Sequence, residues 1–216
     1  MQPYKVSHQI ISIAAHSYPL CTLLDRQQFS DELHLASDIG ISDATWSLFG
    51  VVWPSSIVLA TYVSSMALQG KKVLEIGCGI GLSSIVLHRM GIDITASDYH
   101  PLAQEFLELN VLGNKLPPIK YLGGNWEVDN PLLGEFDLII GSDVLYQPAH
   151  PGQVSEFISL HGQLTSDAII VDPNRGNSNN FSRCMNTLGY SHHFERFDAE
   201  GVDDSRCKGR ILHYHR

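Results

Sequence analysis

The sequence predicts an α/β fold: a mostly parallel sheet of seven strands, helices on both faces, and an antiparallel C-terminal strand pair. Two observations carry this. Short apolar runs of strand length alternate with longer stretches of helical spacing along most of the chain, the pattern of parallel strands joined by crossover helices. Within residues 71–82, KKVLEIGCGIGL, a buried strand runs into three glycines at alternate positions, Gly77, Gly79 and Gly81. Strand, glycine turn, helix is how a Rossmann-like sheet builds a nucleotide pocket, because a backbone without Cβ atoms turns tightly and approaches a ligand closely.

The elements follow in order. Residues 4–13, YKVSHQIISI, alternate enough to be a strand, and residues 19–48 hold only short polar and apolar pieces. Residues 1–50 are therefore expected to form an N-terminal lid or edge extension, and residues 51–216 the main domain. Pro54 suits a first helical turn, with Ile57, Ala60, Tyr62, Val63 and Met66 supplying a buried side before Gly70. Val73–Ile76 is the central strand and Leu82–Met90 the next helix. Ile92–Ser97 is the second core strand, and the helix Pro101–Leu112 follows it. Ile119–Leu122, Phe136–Gly141 and Ala168–Val171 read as further strands. Val154, Phe157, Ile158 and Leu164 mark a helix, as do residues 178–188. His192–Phe197 and Arg210–Tyr214 are the closing antiparallel pair.

Composition bounds the function. The 216 residues suit one good-sized α/β domain, and 44% hydrophobic content supports a real core. The formal net charge of −9 gives no bulk footprint for nucleic acid. Four scattered cysteines, Cys21, Cys78, Cys184 and Cys207, point to a reducing compartment. No apolar run reaches membrane-spanning length and no signal peptide opens the chain, so the expected location is the cytoplasm. His192-His193 and His213-x-His215 lack the spacing and further ligands of a metal site, and no metal is expected. The acidic stretch Asp198–Asp204 reads as a solvated turn.

The turn itself selects a ligand. A dinucleotide fingerprint wants its third glycine one residue later, and the P-loop Lys-Ser/Thr pair is missing. Glu75 just before the turn repels a pyrophosphate and attracts a cation. S-adenosylmethionine fits, with a sulfonium, an ammonium and no phosphate. Asp98 ends the second strand, 17 residues past Gly81, where a carboxylate accepts from ribose hydroxyls. Glu75, Asp98, Asn125-Trp126, Asp143 with Tyr146, and Asp172 all close strands at one edge of the sheet. Ligands of such sheets bind at that edge. Cys78, between two glycines, is expected to lie under the cofactor and not to act as a nucleophile.

Trp53-Pro54, the run E-I-G-C-G-I-G, Asp98, Asn125-Trp126 and S-D-V-L-Y together resemble the family-16 group of methyltransferase-like protein-lysine methyltransferases. These belong to the class I, seven-stranded, S-adenosylmethionine-dependent enzymes, and the group has bacterial relatives labelled as predicted nicotinamide N-methyltransferases. The likeness is good over about residues 45–150. By that resemblance Glu75 and Gly77, Gly79 and Gly81 hold the methionine part, and Asp98 the ribose. Asn125 and Trp126 serve adenine, and Trp53 lines the entrance. Asp143 and Tyr146, an Asp-x-x-Tyr motif, are the catalytic candidates. The family often has Asp where this chain has Asn125, which keeps an acceptor and loses the charge. The expected reaction is methylation of nitrogen, with protein lysine as acceptor. The alternatives are a small amine or pyridine-type nitrogen, or a silent binding protein that keeps the cofactor fold. A nicotinamide-dependent oxidoreductase is more distant. Arg175, in DPNRG, either meets a substrate carboxylate or ties down a loop.

Overall fold

A computed structural model describes residues 4–25, 27–28, 31, 34, 36–200 and 206–216, with only the backbone of residue 43. In chain order the elements are β1 (Val6–Ile13), β2 (His16–Leu23), α1 (Asp43–Trp46), α2 (Pro54–Ser64), β3 (Lys72–Ile76), α3 (Leu82–Arg89), β4 (Asp93–Ser97), α4 (Ala103–Gly113), β5 (Lys120–Tyr121), β6 (Phe136–Ser142), α5 (His150–His161), β7 (Gly162–Asp172), α6 (Ser178–Thr187), β8 (Ser191–Glu200) and β9 (Arg206–His215). Seven of the strands form one sheet in the order β5-β4-β3-β6-β7-β9-β8. All pairings are parallel except the two made by β9, which runs against β7 and β8. The predicted fold class is the observed one.

Strand periodicity explains the layers. Successive side chains of a strand face opposite sides. Val73, Leu138, Ile140, Ile169 and Val171 meet Leu59 and Val63 of α2 and Leu87 of α3. Their neighbours Leu74, Ile139, Ala168 and Ile170 meet Val154, Phe157 and Ile158 of α5 and Phe181 and Met185 of α6. Because both faces are covered there, residues 73–74, 138–140 and 168–171 are apolar on both faces rather than alternating. Each fully buried Leu, Ile or Phe contributes roughly 1.5–3 kcal/mol, so this double layer carries most of the stability.

The chain starts the sheet at β3, lays β4 and β5 to one side, then returns to lay β6 against β3's other edge. That reversal leaves a crevice beyond the carboxyl ends of β3 and β6. Register brings the tips level: Ile76 is opposite both Ser97 of β4 and Gly141 of β6.

Three local expectations are corrected. The region taken as irregular from residue 19 holds β2, which pairs with β1 as a separate hairpin. The turn between them, Ala14-Ala15, has no Gly or Asn, and Pro19 lies inside β2. Turn and strand signals are therefore both weak. Leu164 belongs to β7 rather than to the preceding helix and is 91% exposed. Gly162 ends α5 in an extended conformation and the chain turns there. Asp198 sits in β8 and pairs with Arg206 and Lys208 of β9, so it is strand rather than turn. Residues 201–204 of that acidic stretch lie outside the described residues.

The hairpin is fastened by one side chain. Asn110 of α4 is buried. Its Oδ1 accepts from Cys21 N–H at 2.6 Å, and its Nδ2 donates to Cys21 O at 3.2 Å and to Ile80 O at 3.0 Å. One amide therefore joins β2, α4 and the glycine turn. Asn110→Leu strands these backbone groups in a dry interior, at about 1–3 kcal/mol for each buried group left unmatched. The expected result in urea unfolding is a loss of at least 2 kcal/mol with an unchanged slope. A variant as stable as the parent would show that water replaces the clamp.

Candidate functional site

The glycine turn is shaped from two sides. Gly77, Gly79 and Gly81 all have positive φ, at 58°, 54° and 84°. Gly81 caps α3 from the left-handed region, and a Cβ there would run into the Leu107 side chain. At Gly79 the space where a Cβ would stand is open, which leaves the backbone bare toward a ligand. Across the top of the sheet, Cys78 N–H donates to Ser97 O at 3.0 Å and Gly79 N–H to Asp98 Oδ2 at 2.7 Å. Asp98 Oδ1 accepts from His100 N–H at 2.8 Å. Each oxygen of Asp98 thus holds one backbone donor and keeps further acceptor capacity. Burial raises its pKa above the usual carboxylate value.

Glu75 is turned the other way. Its Oε2 accepts from Ser84 N–H at 2.8 Å and from the Ser84 hydroxyl. The carboxyl group thereby caps the first turn of α3, where a carboxylate meets the positive end of the helix dipole. Burial nevertheless pushes its pKa up to about 7. Glu75 and Gly81 lie behind the turn and are absent from the cavity wall.

A cavity of about 560 Å³ opens above the turn, a size usual for small-molecule sites. Its wall brings together Trp53, Gly77, Gly79, Asp98, Asn125, Trp126, Asp143 and Tyr146. Eight of the ten predicted site residues therefore share one chamber. Asn125 turns its own loop, its Oδ1 accepting from Glu127 N–H at 2.9 Å. Trp126 lies over the glycine turn and meets the ring of His150 edge-on at 5.1 Å. Trp53 donates through Nε1 to Leu48 O at 3.0 Å and precedes Pro54 at the start of α2.

Asp143 follows β6 with φ at 55°, a left-handed conformation uncommon outside glycine, Asn and Asp. Its N–H donates to Val171 O at 2.8 Å. Its carboxylate is gripped in a two-pronged pair by Arg175, Nε to Oδ1 at 2.8 Å and Nη2 to Oδ2 at 2.6 Å. Arg175 therefore ties the loop after β7 to the loop after β6. Asp172, the last residue of β7, is fully buried and outside the cavity wall. Tyr146 stays a phenol: burial, with the Asp98 and Asp143 carboxylates adding to it, pushes its pKa up to about 12.

Sequence reasoning missed the far wall and two histidines. Ile39, Gly40, Ile41, Thr45, Leu48 and Phe49 close one side. His100 stacks on Phe49 with ring centroids 4.0 Å apart and accepts from Leu102 N–H at 3.2 Å; burial lowers its pKa to about 3. His150 opens α5 four residues after Tyr146, with ring centroids 4.5 Å apart. The only sequence signal for either was proximity to Asp98 and Tyr146. Among the described residues no cluster of three His, Cys, Asp or Glu is placed to hold a metal.

The wall suits a ligand with hydroxyls, a flat ring and a cationic centre. Asp98 offers acceptors, Trp53 and Trp126 offer aromatic faces, and the Arg175 guanidinium is spent on Asp143. Among the described residues no lysine lines it to take a phosphate.

The buried Glu75 generates a pH prediction. Its folded pKa lies above its ordinary 4.5, so between pH 4.5 and about 7 the folded state binds more protons than the unfolded chain. Stability from this group is full below pH 4.5 and is lost as pH rises toward 7. Glu75→Gln should remove that part, so the stability difference between variant and parent grows in the variant's favour across this window. A difference independent of pH in chemical unfolding would contradict the burial of an ionisable Glu75.

Residues 31–179 match the family described as lysine methyltransferase. The protein N-lysine methyltransferase METTL21A of Mus musculus is 40% identical over 115 residues, 47% of this chain and 51% of that protein. The histidine protein methyltransferase 1 homolog of Dictyostelium discoideum is 38% identical over 117 residues, 51% of this chain and 38% of that protein. The chain thus spans about half the length, or less, of these relatives. In fold it is similar to the Thermus thermophilus 16S rRNA N2 G1207 methyltransferase solved with S-adenosylmethionine and guanosine, at a TM-score of 0.66, 15% identity, and coverage of 98% of this chain and 50% of that one. Over more than two thirds of its length, from the segment before α1 to the start of α6, the chain belongs to the lysine methyltransferase family.

Proposed function

We propose that the protein transfers a methyl group from S-adenosylmethionine to a nitrogen of a protein, with a lysine side chain as acceptor. The observation that carries this reading is a single chamber uniting Asp98 and the glycine turn with the Asp143–Tyr146 pair. Family membership supports the same chemistry.

When bound, S-adenosylmethionine supplies a methyl group made electrophilic by its sulfonium. This chain's residues then bind and orient. Asp98 accepts from the ribose hydroxyls through the oxygen lone pairs its backbone donors leave open. Asn125 and Trp126 serve the adenine, by acceptor and ring face. Gly77, packed against Val144, and Gly79, whose Cβ position is open, hold the methionine part, while Glu75 and Gly81 hold the turn in shape from behind. Trp53 walls the entrance, where a cation over the ring is favoured. Asp143, fixed in plane by Arg175, accepts a hydrogen bond from the acceptor nitrogen, and Tyr146 completes the polar end. Because Asp143 and Arg175 together are neutral, they orient a neutral amine better than they attract an ammonium. Orientation of two reactants is worth up to ~7–11 kcal/mol in ideal cases.

We read residues 1–50 as a lid or edge extension over the domain 51–216. The wall from Ile39 to Phe49, and the bond from the Tyr99 hydroxyl to Ile39 O, support this. Among the described residues no helix is long and apolar enough to cross a membrane, and the four cysteines are free. Cytoplasm is the location we propose. The net charge of −9 counts against nucleic acid as acceptor.

Calorimetry with S-adenosylhomocysteine and with NAD tests the cofactor. Binding of the first and not the second is expected, and Asp98→Ala should weaken it by about 1.5–3 kcal/mol. Unchanged affinity in a folded variant removes Asp98 from the site. Tritiated methyl transfer into a protein extract, separated by size, tests the acceptor. Label in small molecules alone favours the small-amine reading, and no label despite binding favours a silent binder. Asp143→Ala should keep S-adenosylhomocysteine affinity within about threefold, under ~1 kcal/mol, while transfer falls far more. A parallel fall in both would move Asp143 to the cofactor shell.

A further inference from the structure

His150 is a 7%-exposed histidine in the cavity wall. Its Nδ1 lies 2.8 Å from Val144 O. A carbonyl oxygen only accepts, so Nδ1 carries the hydrogen and Nε2 carries the lone pair. Among the described residues Nε2 has no hydrogen-bond partner, yet it is not one of the sealed, partnerless atoms of the interior. The chamber above the glycine turn is the open space that His150 lines. The ring is held edge-on by Trp126 at 5.1 Å and Tyr146 at 4.5 Å. It opens α5, where the helix dipole disfavours a positive charge. The Val144 carbonyl fixes one tautomer and the two flanking rings fix one orientation, which leaves an unprotonated nitrogen on a residue of the cavity wall.

We propose that His150 is the proton acceptor of the transfer reaction, its Nε2 taking the N–H proton of the methyl acceptor. This rests on the methyltransferase reading above. The acceptor nitrogen donates an N–H to Nε2, which turns its lone pair toward the methyl group. The N–CH₃ bond forms as the C–S bond breaks, with that bond's electron pair remaining on sulfur. The N–H proton passes to Nε2, and the imidazolium returns it to water at the cavity mouth. The charge lost by the sulfonium appears on the imidazolium, so the step balances. Asp143 and Tyr146 orient the nitrogen, and His150, beside the Tyr146 ring, receives its proton.

Charged and titratable groups around the ring are few. Tyr146 from the loop after β6 stays a phenol, and Glu127 from the loop before β6 is held by Gln153 Nε2 at 2.6 Å. The Asp143–Arg175 pair lines the same chamber and is neutral overall. Burial lowers the imidazole pKa, so the base is available throughout the neutral range.

The test combines spectroscopy and kinetics. In ¹⁵N-labelled protein, long-range correlation should show His150 protonated on Nδ1 and lacking hydrogen on Nε2 at pH 7. Addition of S-adenosylhomocysteine with n-butylamine as probe should shift the Nε2 resonance. His150→Gln keeps an acceptor but cannot take a proton at neutral pH. Its S-adenosylhomocysteine affinity should stay within threefold, while labelling of a protein extract slows about 100-fold, in the range general bases supply. Its rate should also lose the wild type's fall at acid pH. An Nε2–H tautomer, an Nε2 resonance indifferent to the amine, or an undiminished rate in a cofactor-binding variant would overturn the assignment. Absence of any wild-type transfer would sink the methyltransferase reading, and the resonance arm would still decide His150.

Discussion

The structure hangs on the seam between the glycine turn and the tip of β4. Cys78 N–H to Ser97 O and Gly79 N–H to Asp98 Oδ2 cross from β3 to β4 at the level where both strands end. Those two bonds place a carboxylate beside a bare backbone turn. The second of them spends part of Asp98's acceptor capacity on the fold itself, so in the proposed binding mode ligand and fold share one side chain. Glu75 fastens the same turn from beneath by capping α3, and Asn110 holds it from the side through Ile80 O. A turn of three positive-φ glycines is entropically loose in an unfolded chain. It holds one shape here because three polar side chains, Asp98 and the buried Glu75 and Asn110, each satisfy a backbone group of the turn or of the helix it opens.

The proposed acceptor end is built differently. Asp143 and Tyr146 sit on a loop whose geometry is set by Asp143's left-handed φ and by the N–H to Val171 O. Arg175 then locks the carboxylate to the loop after β7, with the Asp143 side chain 12% exposed and the arginine 42%. A two-pronged pair restricts rotation as well as neutralising charge. The consequence is a rigid, uncharged polar slot. In the proposed reaction such a slot selects an acceptor by geometry and by hydrogen bonding rather than by attracting a cation, which fits nucleophilic attack by an uncharged nitrogen.

Much of this was legible in the sequence, because the relevant signals are local. Apolar run lengths locate the parallel strands of the sheet, and residues at strand ends must share an edge in a parallel sheet. That is why Asp98, Asn125, Trp126, Asp143 and Tyr146 were found together. What stayed hidden depends on contacts between distant segments. Nothing near Glu75 announces that its carboxyl turns to Ser84 instead of the ligand. Arg175 had two readings, and only the approach of β6 to β7 selects Asp143 as its partner. Strand β2 carries Pro19 and a turn without glycine, so its pairing with β1 comes from packing on α4. His100 and His150 have no spacing motif, since a single imidazole becomes special only by burial and by which nitrogen its neighbour occupies.

A structure determined with S-adenosylhomocysteine bound tests the central claim most directly. The account predicts ribose hydroxyls within hydrogen-bond distance of Asp98, adenine beside Asn125 and Trp126, and the sulfur on the side of Asp143, Tyr146 and His150. A ligand bound in the reverse sense, with adenine against Asp143 and the sulfur remote from Tyr146, would contradict it. So would a ligand that leaves Asp98 untouched.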